Sequence, residues 1–218
     1  MKIRWTWIFS AHILLIPLLM VFIDEPLTTS FNDRKPTWYV AFNRTITDVA
    51  LGQWYFAGAL LGMLLIAVFL KFRSQSLRRP QLERAKAWFQ FLLASLFVSG
   101  TVLLTIKHLV GRARPFVVPE HDPLLFKPLT ADWNFHSFPS GHAQVIWTVA
   151  FALVTAFPKW KPVFILMALV ISFSRVVIHD HFLSDILAGG SIGYFVSAWL
   201  YDKVKTRLYF NFASTSQP

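Results

Sequence analysis

The chain has 218 residues, of which 55% are hydrophobic, 17% aromatic and only 15% charged, with 22 Phe and 9 Trp. A soluble domain carries roughly 25% charged residues, so this composition excludes a water-soluble globule, a disordered chain and a coiled coil, and points to a membrane. No Cys is present, which removes disulfide frameworks, thiolate metal sites and cysteine nucleophiles.

Apolar runs near the ~20 residues that a spanning helix needs predict six membrane spans, at 5–23, 49–70, 87–106, 143–157, 163–174 and 186–201. The first follows Lys2 and Arg4 like a signal peptide. It is long and lacks a small-residue cleavage site before Asp24, so it is expected to be a retained span, with Pro17 as a candidate kink. The fold class expected is therefore all-α: one integral-membrane domain over 1–218, with outer loops at 24–48 and 107–142 and a tail from about 202. Lys and Arg set the orientation. One face collects 13 of the 21 basic residues, among them Lys71, Arg73, Arg78, Arg79, Arg84 and Lys86, against Glu83 and Asp202 alone. That face is expected to be cytoplasmic and to hold both termini in an inner membrane. Anionic lipid accounts for the net charge of +10, and nucleic acid is not needed as a partner.

On the outer face, Trp38, Phe42 and Val49 recur at helical spacing beside Asn43 and Arg44. This fits a helix lying in the interface or, equally, a loop with aromatic anchors. Residues 116–138 contain Pro119, Pro123 and Pro128 and read as an irregular loop. Glu120, His121 and Asp122 within it read as solvated residues and not as metal ligands.

Three polar clusters fall where this topology has its outer surface. Lys107, Arg112 and Arg114 follow the third span, on the side the positive-inside trend disfavours, and imply an anionic client. Pro139-Ser140-Gly141-His142 precedes the fourth span: Ser140 is expected to cap the helix, whose exposed N–H groups make an anion site beside His142. Arg175 closes the fifth span, where a cation is costly and functional by default. His179, Asp180 and His181 follow it. His181 has Asp185 four residues on, hence on one helical face, whereas His179 has Leu183 there; His181 is the supported imidazole. No Asp/Glu cluster for a divalent metal accompanies them.

Read together as KxxxxxxRP, PSGH and SRxxxxxHxxxD, the clusters resemble the three signatures of the type-2 phosphatidic-acid phosphatase (lipid phosphate phosphatase) superfamily, whose helical core is shared with vanadium haloperoxidases. The resemblance implies a nucleophilic His181 that forms a phosphohistidine, Asp185 orienting it, and His142 protonating the leaving oxygen. Lys107, Arg114, Ser140, Gly141 and Arg175 would hold the phosphoryl group, with Arg112 auxiliary and no metal or cofactor expected. The expected activity is hydrolysis of a terminal phosphate from a membrane lipid at the periplasmic face. Undecaprenyl pyrophosphate, lipid A 1-phosphate, phosphatidylglycerol phosphate and phosphatidic acid are the candidates. The alternatives are phosphoryl transfer between envelope lipids and, in another class, a lipid or anion transporter.

Overall fold

The computed structural model describes residues 5–31, 36–72, 79–118 and 122–205. The cations counted at Lys2, Arg4, Arg73, Arg78 and Arg207 lie outside the described residues, as do Glu120, His121 and the tail beyond Lys205. Eight α-helices account for most of what is described: α1 (Trp5–Phe22), α2 (Asp24–Ser30), α3 (Thr37–Asp48), α4 (Gly52–Phe72), α5 (Arg79–Val110), α6 (Gly141–Ala156), α7 (Lys161–Val177) and α8 (Leu183–Val204). Among the described residues there is no strand beyond one isolated antiparallel bridge between Arg112 and Phe126.

Four stretches are long and apolar enough to cross a bilayer: Thr37–Phe72, which takes in α3 and α4, then Arg79–Val110, Pro158–Val177 and Leu183–Val204. A fifth arises if α1 and α2 act as one span bent by 56°. The bend falls at Ile23, not at Pro17, which sits inside a continuous α1. At 16 residues, α6 is about 24 Å long, shorter than the ~30 Å hydrocarbon core.

Helix α6 sits at the centre, packed against α5, α7 and α8. Small residues let the backbones approach, as is common between membrane helices. A Cβ added at Gly193 would meet the Gln144 carbonyl oxygen at 2.3 Å, and one at Gly189 would meet that of Ser140 at 2.1 Å. Apolar clusters fill the remaining space: Phe91, Leu92 and Leu96 of α5 pack against Val149 and Ala152 of α6, and Ile146 and Ala150 pack against Ala168 and Ile171 of α7. Two polar side chains link helices across the bundle, Gln144 donating to Ser99 Oγ at 2.5 Å and Trp88 Nε1 to the Ala152 carbonyl at 2.9 Å. Facing outward are Leu60, Leu61, Leu64 and Leu65 of α4, an apolar surface that suits lipid and not water.

Residues 37–48 form a helix and not a loop. The polar side is turned inward: Asn43 and Thr47 are buried, while Trp38, Phe42 and Val49 are exposed. With α3 packed on α7, Thr47 meets Arg175 across the contact, while Trp38 and Phe42 meet the surroundings.

Candidate active site

The C-terminal ends of α5 and α7 and the N-terminal ends of α6 and α8 meet at one end of the bundle, roofed by the chain between α5 and α6. A sharp turn starts that chain. Gly111 adopts φ +60°, and a Cβ there would lie 1.9 Å from the Lys127 carbonyl oxygen, so glycine is required both for its dihedral and for the approach. Backbone bonds then lay the segment across the site: Arg114 N donates to the Asn134 carbonyl and Ser137 N to that of Arg112, at 2.9 and 3.0 Å.

Each cation named from the sequence is buried and held. Lys107, in the last turn of α5, donates to the His136 carbonyl at 2.6 Å. Arg114 donates from Nε to the Trp133 carbonyl at 3.2 Å and lies with its Cζ 4.1 Å above the Trp133 ring, an arrangement in which stacking and charge both contribute. Burial, against the pull of Asp180, brings the Arg114 guanidinium down to about 10, so it stays charged at neutral pH. Arg175 pairs with Asp180 and donates to Thr47 Oγ1 at 3.2 Å, tying α7 to α3. The fields of Lys107, Arg114 and Arg175 all reach the His142 ring.

Ser140 caps α6 through its side chain, with Ala143 N donating to Oγ at 3.5 Å, while Ser140 N donates to the Asp185 carbonyl at 3.0 Å. The start of α6 is thereby fastened to the first turn of α8, and Gly141 and His142 fall in the turn beyond it.

His181 and Asp185 meet, but not as two residues on one helical face. His181 lies in the turn before α8, and Asp185 is in the helix's first turn, where its Oδ2 accepts from Phe182 N at 2.8 Å. His181 Nδ1 is 3.7 Å from Asp185 Oδ2, too long for a hydrogen bond. Beside them stands the Ser137 hydroxyl, which donates to Asp185 Oδ2 at 2.5 Å and lies 3.4 Å from His181 Nδ1. Complete burial drives the His181 imidazole well below its ordinary value of 6.5; Asp185 resists, and Arg175 and Arg114 push further down. His181 is accordingly neutral near pH 7, with Nδ1 turned to Ser137 and Asp185. His179, the competing imidazole, adopts φ +61° and turns its Nε2 to the Phe31 carbonyl at 2.5 Å.

Sequence reasoning missed two members of this cluster and undervalued a third. Ser137 carries no signal beyond its place in a loop. Asp24 of α2 is fully buried, accepting from Ser184 N at 3.0 Å and from the Ser184 hydroxyl. Arg112, assigned only an auxiliary role, is 0% exposed and bridges Asp24 at 2.9 Å and Asp185 at 2.6 Å. Among the described residues no group of three or more His, Asp or Glu side chains is arranged to hold a metal ion.

The model of the PAP2 superfamily matches residues 88–209. The lipid A 1-phosphatase of Rhizobium etli is 25% identical over 88% of this chain and 81% of its own length. The undecaprenyl-diphosphatase of Sulfolobus acidocaldarius is 35% identical over 46% of this chain and 48% of its own. Among solved structures, the transmembrane PAP2 type phosphatidylglycerolphosphate phosphatase of Bacillus subtilis superposes with a TM-score of 0.58 at 20% identity, covering 93% of this chain and 98% of that one.

Proposed function

Since the chain belongs to the PAP2 superfamily, we propose that it is a membrane phosphatase that hydrolyses a terminal phosphate from a lipid through a phosphohistidine on His181, without a metal ion. The reading is carried by one observation: three buried cations and the start of α6 surround two imidazoles, one of them backed by a carboxylate. Lys107, Arg114, Arg175, Ser140 and the Gly141 N–H bind the phosphoryl oxygens and spread the charge that develops on them, the role a divalent ion plays elsewhere. With Nδ1 turned to Ser137 and Asp185, Nε2 of His181 is the nitrogen that attacks phosphorus. As the P–N bond forms, the P–O bond to the lipid breaks, and His142 passes its proton to the departing oxygen. Water, deprotonated by His142, then cleaves P–N and releases phosphate.

In this reading one domain crosses the inner membrane six times, α6 being the short span, with both termini cytoplasmic and the site on the periplasmic side. Lipid A 1-phosphate is the first substrate to try, because the relative with that activity matches this chain over most of both lengths; undecaprenyl pyrophosphate, phosphatidylglycerol phosphate and phosphatidic acid follow. The test is phosphate release from these lipids by detergent-solubilised protein in EDTA. Wild type should be active and His181→Ala inactive; equal activity of the two would refute the mechanism.

A further inference from the structure

We propose that Asp24 and Arg112 are positioning residues for the His181 nucleophile, acting through Asp185, so that the working unit is a buried Asp24–Arg112–Asp185 triad. The inference rests on the function proposed above. Every nitrogen of the Arg112 guanidinium is committed: Nε donates to the Pro123 carbonyl at 2.9 Å, Nη1 to Ser184 Oγ at 2.7 Å and Asp185 Oδ1 at 2.6 Å, and Nη2 to Asp24 Oδ2 at 2.9 Å. Its Cζ lies 4.2 Å over the Phe182 ring. Asp24 in turn is fixed by the Ser184 amide and hydroxyl. A helix near the N-terminus, the roof of the site and the first turn of α8 are thus joined at the carboxylate that backs His181.

Stability does not explain this arrangement, because buried ion clusters are commonly replaced by apolar side chains without loss. Charge does explain it. His181 faces Arg175 from α7 and Arg114 from the roof, and Asp185 is the carboxylate that opposes them. Lys107 from α5 and Arg112 both act on Asp185 as well. With Arg112 alone on its Oδ1, the negative charge of Asp185 would be largely cancelled before it reached the imidazole. Asp24 neutralises Arg112 from the other side, leaves the triad with one net negative charge, and lets the guanidinium serve as a rigid clamp on Asp185. Outer-shell partners of metal ligands typically matter by about 10- to 100-fold, and a comparable weight is expected for these partners of Asp185.

The experiment uses the full-length protein in detergent. Asp24→Asn keeps shape and removes charge. It should lower kcat about tenfold or more with KM little changed, and move the acid limb of the kcat–pH profile down by about half a unit or more. The 15N resonances of His181, followed in 15N-histidine-labelled protein, should titrate at correspondingly lower pH. Combining Asp24→Asn with Arg112→Gln returns the triad to one net negative charge and should bring that titration back toward wild type, an outcome that a purely structural role would not produce. The double variant also serves if the single one does not fold. An Asp24→Asn protein, or failing that a double variant compared with Arg112→Gln alone, whose His181 titration matches its reference would overturn the inference. If wild type releases no phosphate from any lipid, the proposed function fails, and the 15N titration still decides the role of Asp24.

Discussion

Replacing Gly189 by Ala tests the seam that holds the proposed phosphate cradle to the proposed nucleophile, His181. The added Cβ would lie 2.1 Å from the Ser140 carbonyl oxygen, 3.0 Å from its carbon and 3.1 Å from its nitrogen. All three are backbone atoms, so no side chain can swing aside. An ordinary carbon–oxygen contact needs at least ~3.3 Å, so α6 and α8 must part by about 1 Å. That separation stretches the bond from Ser140 N to the Asp185 carbonyl, now 3.0 Å. Overpacking costs about 1–3 kcal/mol and the weakened bond about 1 kcal/mol more. Ser140, Gly141 and His142 retreat from His181 by the same ångström, which can cost about 100-fold in rate. Gly189→Ala should therefore melt lower in detergent and lose kcat/KM by roughly two orders of magnitude. Gly58→Ala and Gly100→Ala are the controls: neither Cβ meets anything within 4 Å, and helix propensity favours alanine by about 1 kcal/mol. A Gly189→Ala enzyme with wild-type melting and turnover would refute the close seam and the mechanism built on it.

Two further outcomes are expected. Ser137→Ala removes the hydroxyl beside Asp185 and His181, which should cost about 2 kcal/mol of stability, the weight of a hydrogen bond to a charged acceptor. It should also lower kcat more than it raises KM; a variant matching wild type in melting and kcat would show that the bridge does nothing. Because burial holds the native His181 pKa well below 6.5, the unfolded chain binds the extra proton as pH falls through about 6.5, and native stability must drop there. Melting temperature should fall on acidification below about pH 6.5 in wild type and fall less in His181→Gln. Parallel curves for the two proteins would contradict that assignment.

The long apolar helices were readable because a bilayer imposes length and hydropathy over many consecutive residues. Their ends were readable only where a local device marks them, as Ser140 does for α6. The break at Ile23 carries no such mark, and Pro17, the residue that looks like a breaker, is absorbed into α1. In α3 the pattern was visible but the environment inverted its meaning: an apolar face outside and Thr47 inside is what lipid, and Arg175 within, select. Charged side chains in the apolar ends of helices stood out by their cost, which is why Lys107 and Arg175 were legible, and the four-residue spacing marked His181 and Asp185. Asp24 was not. It sits at the end of a hydrophobic run, where an acidic residue is ordinary, and its partner Ser184 lies 160 positions away. Ser137 was hidden for a similar reason: its meaning comes from two residues over forty positions downstream.

The glycine seam between α6 and α8 also has a mechanical consequence. Two helices whose backbones touch at both Gly189 and Gly193 slide past one another only by breaking contact, so they respond to lateral pressure as a single strut. His142 rides on one half of that strut and Asp185 on the other. Deformation of the surrounding lipid is then expected to move α6 and α8 together, so that the separation of His142 and Asp185 is kept.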